Sequence, residues 1–417
     1  MRQPVNVLFI SRQRIIGATN GSSAYVLDLA QAARASGLVP HLIQPSPTIT
    51  GRWPILTMRP EMDVFASHQV RGLLRIGRRF ISLSPRVYVA LTRSAILAIA
   101  RRLGVSAPWA ADRPLPYSVS IPWTAADHRW LSSACRDKAD IAVADYMFCA
   151  EGFQDLPSSE VPTAVVMHDL FHARAGGSQD SVALVDRDSE IAMLAKADAI
   201  IAIQATEAAF VEGQIPTSRA ILAPMAAKPV AMAHPGENGR LLFVGSNTAP
   251  NSVGLQWFFD AVWPLVQADW PDAKLDIAGS VVRAFPRGGP AGVTFLGFVD
   301  DLTSLYAASE IVISPLTFGS GLKIKFVEAL ANGKAVVATS VTMQGVSREC
   351  ENAARVSDDP AEFARHILAL HADKTARAAL AQLALAVART HFSSDACFAA
   401  FTAWLQEAAA KANRCHG

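Results

Sequence analysis

Short apolar runs alternate with longer segments of helical periodicity along most of the chain. In the first half, the short runs predict strands at 5–11, 39–44, 141–145, 163–168, 199–203 and 220–222. The segments between them predict helices near 21–36, 125–138, 181–196 and 205–214. Buried strands separated by helices are typical of a parallel sheet covered on both faces, so we predict an α/β fold.

A second alternating series follows the stretch 224–239, whose three Pro and two Gly favour an interdomain linker. Its predicted strands lie at 240–244, 274–278, 293–296, 311–314 and 335–339, with helices at 252–268, 302–308 and 322–331. Three further segments are helical throughout: 360–372, 374–391 and 395–413. We therefore expect two doubly wound domains joined by a hinge, with a cleft at the carboxyl ends of both sheets.

Length and composition agree with this organisation. The 417 residues are enough for two or three domains, and 51% hydrophobic with 18% charged residues exclude disorder as the main state. A formal net charge of +2 is too small for a general affinity for nucleic acid, so no nucleic-acid partner is expected. The five Cys lack C-x-x-C spacing and fit a reducing cytoplasm, and no apolar run is long enough to cross a membrane.

The segment 64–111 is strongly basic. It contains eight Arg and no Asp or Glu. Four of these have the spacing of one helix face: Arg71, Arg75, Arg78 and Arg79. This spacing predicts an amphipathic helix whose basic face binds an anionic membrane surface or an anionic acceptor. The alternative is a solvated face whose acidic partners lie elsewhere in the fold.

The segment 314–339 carries the clearest chemical pattern. A predicted strand ends, a loop containing Gly319, Ser320 and Gly321 follows, and a helix begins near Leu322. Small residues and the free N–H groups of a helix N-terminus favour an anion. The positive charges of Lys323 and Lys325 would add to this preference, so a diphosphate is the expected ligand. Glu328, further along the helix, would accept hydrogen bonds from ribose hydroxyls.

This segment resembles the signature of the family 4 glycosyltransferases, or glycosyl transferases group 1. The pattern G-x-G-x-x-x-K-x-x-E-A-x-A-x-G-x-x-V-V-x-T is filled by Gly319, Gly321, Lys325, Glu328, Ala329, Ala331, Gly333, Val336, Val337 and Thr339. The resemblance implies the GT-B fold, in which two Rossmann-like domains face a cleft. It implies an acceptor-binding domain at 1–230, a nucleotide-sugar domain at 231–394, and a final helix at 395–417 that crosses back to the first domain.

Other segments resemble the family in the same order along the chain. They imply donor contacts at a turn near the diphosphate, at a loop that meets the nucleobase, and at a loop under the transferred sugar. These positions are Gly245, Ser246 and Asn247 for the turn, Phe298 and Val299 for the nucleobase, and Gly17 for the sugar.

Groups at predicted strand ends are the candidate catalytic residues. His168 and Asp169 follow one strand, and Asp145 ends another. The resemblance implies that His168 orients and hydrogen-bonds the donor sugar, whereas Asp169 would act as general base on an acceptor hydroxyl. Asp145 is a second catalytic candidate, or else a helix N-cap or part of a loop turn. Lys325 would stabilise charge on the leaving phosphate.

One departure from the family pattern affects the expected mechanism. Many members carry a Glu-x7-Glu pair, but Ser320 occupies the position of the first Glu, which leaves the sugar open. The resemblance implies retention of anomeric configuration, while Asp145 and Asp169 leave an inverting route open. The D-x-D sequence at 186–188 lies in a helical run and 300–301 in a cap position, so no metal is expected.

The expected function is transfer of a glycosyl unit from a nucleotide-sugar to a glycan or lipid-linked acceptor. The donor is expected to be a UDP- or GDP-sugar, with no cofactor, and the chain to be cytoplasmic or peripheral at the inner face of the membrane. Two alternatives are a catalytically silent scaffold or binding subunit of the same architecture, and a nucleotide-sugar epimerase. The epimerase would need acid and base carboxylates around the hexose.

Overall fold

The computed structural model describes residues 4–51, 53–104, 118–173, 185–234, 236, 239–299, 301–319, 322–346 and 348–415. These residues divide into two compact units. The first unit comprises Met1–Pro224 and Phe398–Gly417, and the second comprises Met225–Cys397. Ser320 and Gly321, which belong to the loop predicted to bind the diphosphate, lie outside the described residues.

The first unit contains these strands and helices. Its strands are β1 (Asn6–Ile10), β2 (Val39–Gln44), β3 (Ile55–Thr57), β4 (Ser67–Val70), β5 (Leu73–Ile76), β6 (Arg79–Ser82), β7 (Ile141–Asp145), β8 (Thr163–Met167), β9 (Ala199–Ala202) and β10 (Arg219–Leu222). Its helices are α1 (Gly21–Ala35), α2 (Pro85–Arg102), α3 (Ala125–Ala134), α4 (Arg187–Leu194) and α5 (Ala205–Gln214).

The main sheet of the first unit is parallel, in the order β10-β9-β8-β7-β1-β2-β4. The interior strand β1 is buried from Val7 to Ile10 because its apolar run is covered on both faces. Strands β7 and β8 are neighbours, and Asp145 lies opposite Val166 in their register. This register brings the carboxyl end of β7 beside the residues that follow β8.

The predicted basic helix over Arg71–Arg79 is wrong. These residues belong to a small antiparallel sheet in the order β3-β6-β5 and to the turns around it. The turns use Gly72 (φ 73°) and Gly77 (φ 58°), a backbone conformation that breaks a helix and suits glycine. The helix begins only at Pro85, as α2.

Two of the four arginines also have acidic partners from outside the basic segment. Arg71 Nη2 lies 2.6 Å from Asp127 Oδ1, and Arg78 pairs with Asp63. The alternative reading, in which acidic partners lie elsewhere in the fold, therefore holds for these two residues.

The second unit has a parallel sheet in the order β13-β12-β11-β14-β15-β16. Its strands are β11 (Arg240–Val244), β12 (Lys274–Ala278), β13 (Val293–Gly297), β14 (Ile311–Ser314), β15 (Ala335–Ala338) and β16 (Arg355–Val356). Its helices are α6 (Ala249–Trp257), α7 (Trp263–Asp269), α8 (Thr303–Ala308), α9 (Ile324–Ala331), α10 (Pro360–Ala372) and α11 (Lys374–His391), followed by α12 (Ser394–Cys415), which the first unit includes from Phe398 onwards. The α/β prediction is confirmed in both units.

The predicted helix 252–268 is divided by a π-helical stretch at Phe258–Val262. Pro264 follows it and has no N–H to donate, which favours a local change of winding. The wider turn places Phe258 and Trp263 in the core, as their apolar spacing predicts. Among the described residues, no helix is both long and apolar enough to cross a membrane.

A buried carboxylate at the start of α5 makes the first unit sensitive to pH. Glu207 accepts hydrogen bonds from the Ile203 and Gln204 N–H groups at 2.9 and 3.1 Å. Burial, with a smaller contribution from the charges of Asp169 and Glu190, raises the pKa of Glu207 to about 7. The folded state therefore holds a proton that the unfolded state releases between about pH 4.5 and 7.

We predict that this proton stabilises the fold below pH 4.5, an effect lost as the pH rises to about 7. In Glu207→Gln, the free energy of unfolding will fall less over this range than in the wild type, by up to about 3 kcal/mol. Urea unfolding at several pH values measures the slopes, with the exposed Glu212→Gln on the same helix as control. Equal slopes in wild type and Glu207→Gln would contradict the prediction.

Candidate functional site

The loops that follow β11, β12 and β13 approach one another backbone to backbone. Gly245 N–H donates to the Ala278 carbonyl at 3.0 Å, and Gly279 N–H donates to the Gly297 carbonyl at 2.6 Å. Gly279 has φ 104°, and a Cβ at this position would lie 2.2 Å from the Gly245 carbonyl oxygen. Glycine is therefore required for these loops to close.

The predicted diphosphate turn belongs to these closely packed loops and lies at the start of α6. Ser246 and Asn247 are exposed. Asn247 N–H donates to Ser280 Oγ at 2.9 Å, and the Asn251 side-chain amide donates to the Ser246 carbonyl at 2.9 Å. These bonds fix the backbone of the turn while its polar groups remain accessible to a ligand.

The glycine loop after β14 passes beside this turn. A Cβ at Gly319 (φ 129°) would lie 3.5 Å from Pro250 Cγ and 3.9 Å from Lys323 Cε. The N-termini of α6 and α9 therefore lie near each other. Lys323 is the N-cap of α9, and in the described part of the chain no side chain caps this helix. Burial lowers the pKa of Lys323, and Leu322 beside it is half-buried.

On α9, the predicted lysine and glutamate form an ion pair. Lys325 Nζ donates to both carboxylate oxygens of Glu328, at 2.8 and 2.7 Å. Tyr306 of α8 is buried close by, and burial together with the Glu328 charge raises the pKa of its phenol. Tyr306 was not predicted from the sequence, where its only signal is its place in the short helix before β14.

The nucleobase residues follow β13. Phe298 is 79% exposed, whereas Val299 packs partly against the core beneath α9. An uncovered aromatic ring is a large apolar surface on which a planar base can stack.

The first unit has its own polar cluster at the carboxyl ends of β1, β7 and β8. Asp145 is 1% exposed, and its Oδ1 accepts from His168 Nε2 at 2.6 Å. Its Oδ2 accepts from Ser11 Oγ and from the Gln13 side-chain amide, each at 2.6 Å. A carboxylate oxygen accepts hydrogen bonds, so Nε2 is the donor in this contact and carries the imidazole proton. Within the described residues, Nδ1 is the ring nitrogen without a hydrogen bond.

Tyr146 packs on the other side of this histidine. Its ring centroid lies 4.0 Å from that of His168. Among the described residues other than glycine, it alone has a positive φ, 68°. Such strain persists only where the surroundings enforce it, and here it turns the ring onto the imidazole.

The loop before α1 connects to the same cluster. Ser22 Oγ donates to Gln13 Oε1 at 2.9 Å, which links the start of α1 to Asp145 through Gln13. Gly17 has φ 146°, and a Cβ there would lie 2.8 Å from the Arg59 side chain. Ser11, Gln13 and Arg59 were missed by the sequence analysis. For the first two, the available signal was their position just after β1.

The loop after β8 is held by hydrogen bonds from its backbone to two carboxylates. Asp169 is half-buried, and its Oδ1 accepts from Leu170 N–H at 2.9 Å. Buried Glu190 accepts from the backbone N–H groups of Phe171 and His172, both at 2.9 Å, and from His172 Nδ1 at 2.7 Å. His172 therefore helps to anchor the loop that carries His168 and Asp169.

The aspartates excluded as metal ligands bind backbone N–H groups at helix starts, Asp186 as the N-cap of α4 and Asp301 just before α8. Asp186 accepts from Ser189 N–H at 2.9 Å, and Asp301 accepts from Thr303 N–H at 2.9 Å. Asp300 lies outside the described residues. Within the described ranges, no three His, Cys, Asp or Glu side chains form a group that could hold a metal ion.

Comparison with known proteins identifies the second unit. Residues 238–373 match the sequence model of the family Glycosyl transferases group 1. The second unit carries a group 1 glycosyltransferase domain. A 142-residue part of the chain is 30% identical to an uncharacterized 44.6 kDa protein in the cps region of Klebsiella pneumoniae. This match spans 31% of the chain and 37% of that relative's length.

Several solved structures resemble the chain over nearly its whole length. Sucrose-phosphate synthase from Thermosynechococcus elongatus has a TM-score of 0.60 at 17% identity, covering 98% of this chain and all of that one. HepE from Anabaena in complex with UDP has a TM-score of 0.60 at 16% identity, over 97% and 100% of the two chains. The pneumococcal O-GlcNAc transferase GtfA in complex with UDP and GlcNAc has a TM-score of 0.61 at 11% identity, over 97% and 99%. These similarities confirm the predicted GT-B fold.

The close packing of the loops after β11 and β12 can be tested by replacing a glycine in the glycosyltransferase domain. Gly279→Ala adds a Cβ 2.2 Å from a carbonyl oxygen at φ 104°, whereas Gly288→Ala adds one at φ 84° with no atom within 4 Å. Both replacements place an alanine at positive φ, which costs about 1–2 kcal/mol. Only Gly279→Ala also brings its Cβ into steric conflict with the carbonyl oxygen. We predict that urea unfolding will show a larger loss of stability for Gly279→Ala. Equal losses would contradict the close approach of these loops.

A second prediction concerns the tautomer of His168. In Asp145→Asn, the amide oxygen must face the Ser11 and Gln13 donors, so the amide nitrogen faces His168 Nε2. We predict that the imidazole proton moves from Nε2 to Nδ1. Long-range ¹H–¹⁵N NMR spectra will show the exchange, with His168→Gln used to assign the signals. An unchanged tautomer would show that Asp145 does not orient this ring.

Proposed function

We propose that the chain transfers a glycosyl unit from a UDP- or GDP-sugar to a glycan or lipid-linked acceptor. The observation that carries the proposal is the pair Lys325 and Glu328 near the N-terminus of α9, whose preceding glycine loop passes beside Pro250 at the start of α6. Helix N-termini and lysines favour a diphosphate, and a carboxylate held by a cation accepts hydrogen bonds from ribose hydroxyls. The UDP complexes of two proteins with this fold support the donor class.

The donor diphosphate would lie between the turn Gly245–Asn247 and the start of α9. Lys323 and Lys325 would stabilise the negative charge that develops on the leaving phosphate, the role that a metal ion has in other transferases. The proposal therefore includes no metal and no cofactor. Phe298 would stack on the nucleobase, and Lys325 would keep the Glu328 carboxylate in place.

The first unit would supply the groups that act on the sugar and the acceptor. His168 would hydrogen-bond the donor sugar through Nδ1, and Gly17 would leave room for the sugar next to Arg59. Asp145 is enclosed by three donors, so we assign it to orienting His168 rather than to abstracting an acceptor proton. Asp169 remains the candidate base, and transfer with retention of anomeric configuration is proposed from the family resemblance.

Calorimetric titration of the full chain with UDP, GDP and ADP, with and without EDTA, tests this proposal. We predict that one nucleotide binds and that EDTA does not change its affinity. Lys325→Ala and Glu328→Ala will each weaken binding about tenfold or more, because each loses charge-assisted hydrogen bonds. The exposed Lys374→Ala in the same unit is the matched control.

Failure of all three nucleotides to bind would instead favour the silent scaffold. If one nucleotide binds, its parent nucleotide-sugars can be tested for release of the nucleoside diphosphate. Proton NMR of the product then gives the anomeric configuration, and an inverted product would overturn the proposed retention.

A further inference from the structure

The small antiparallel sheet of the first unit leaves one face uncovered. Ile55, Ile81 and Leu74 lie in one cross-strand row, because Ile81 is opposite both other residues. Thr57, Arg79 and Ile76 form the next row of the same face. Ile55, Leu74 and Ile76 are 50%, 51% and 58% exposed, while Leu56 and Phe80 on the other face are buried. The sheet therefore presents aliphatic side chains to the outside.

Helix α2, which follows the small sheet along the chain, also exposes apolar side chains. Among its described side chains, Val87 alone is buried. The sheet is followed by Leu83, and the helix by Leu103, which are 66% and 72% exposed. Other exposed large apolar residues on the helix are Tyr88, Val89, Ile96 and Ile99. A helix with so little buried surface gains little stability from packing on its own unit.

The charge on this surface has a single sign. Arginines are interspersed among its apolar residues, and 64–104 contains no Asp or Glu. Arg71 and Arg78 are paired with Asp127 and Asp63. No described carboxylate forms an ion pair with the other exposed arginines of the sheet and helix, which are Arg75, Arg79, Arg86, Arg93 and Arg102.

We propose that this basic apolar face binds the surface of an anionic phospholipid bilayer. The face consists of Ile55, Leu74, Ile76, Leu83, Tyr88, Ile96, Ile99 and Leu103 with the arginines Arg79, Arg86, Arg93 and Arg102. Aliphatic side chains enter the boundary between headgroups and acyl chains, and guanidinium groups bind lipid phosphates. The uniform positive charge matches an anionic leaflet. This inference does not depend on the proposed activity.

Flotation of the full chain with lipid vesicles tests this proposal. We expect binding to vesicles of phosphatidylcholine and phosphatidylglycerol at 7:3, weaker binding at high salt, and little binding to phosphatidylcholine alone. Replacing Arg79, Arg86, Arg93 and Arg102 by Gln will lower the partition coefficient about 100-fold or more. Ile96→Ser with Ile99→Ser will lower it while leaving the charge unchanged.

The matched control replaces four exposed arginines elsewhere, Arg129, Arg136, Arg287 and Arg355, by Gln. This control has the same net charge as the first variant and is expected to keep vesicle binding. Circular dichroism checks that each variant is folded. Nucleotide titration of the wild type and the two face variants separates this proposal from the proposed activity, because neither face variant alters the second unit.

Two results would overturn the proposal. One is vesicle binding that is absent in the wild type or equal in the control and the face variants. The other is a dimer of the full chain, seen by analytical ultracentrifugation, that the Ile96→Ser and Ile99→Ser changes dissociate. That second result would mean that another copy of the chain covers the face.

Discussion

The close approach of the loops after β11 and β12 is the constraint on which the candidate donor site depends. Gly279 passes so near the Gly245 carbonyl that no side chain fits between them. A similar contact fixes α6, where a Cβ at Gly254 would lie 2.4 Å from the Pro315 carbonyl oxygen. Because Pro315 begins the loop that leads to Gly319 and α9, two helix N-termini are held side by side. An anion site built from backbone N–H groups needs this arrangement.

In the first unit, a buried carboxylate has a comparable structural role. The Asp145 carboxylate joins the loop after β1 to the histidine after β8, and its three donors offset the cost of burying the charge. The link from Gln13 to Ser22 extends this network to the start of α1. His168 is thus held from several elements, with Tyr146 packed on its ring. A group held in this way offers a ligand one defined ring nitrogen.

Local sequence patterns were enough for α9 and for the parallel strands other than β4 and β16, because buried apolar runs and the glycine-rich loop determine those elements directly. The basic segment was misread because Arg71, Arg75, Arg78 and Arg79 fit a helical period, whereas Gly72 and Gly77 impose turns and β-pairing. Partners distant in sequence could not be foreseen. Ser11, Gln13 and Tyr306 join their sites only through the register of the sheets and the packing of helices.

The central claim is that a nucleoside diphosphate binds at the turn after β11 and the start of α9. Hydrogen exchange of the full chain with and without saturating UDP or GDP tests this claim, because it shows which segments the nucleotide protects. We predict slower exchange at 245–247 and 322–328, with the amino-terminal ends of β11 and β14 in the same unit unchanged. Protection elsewhere in the chain, with these two segments unaffected by a nucleotide that binds, would contradict it.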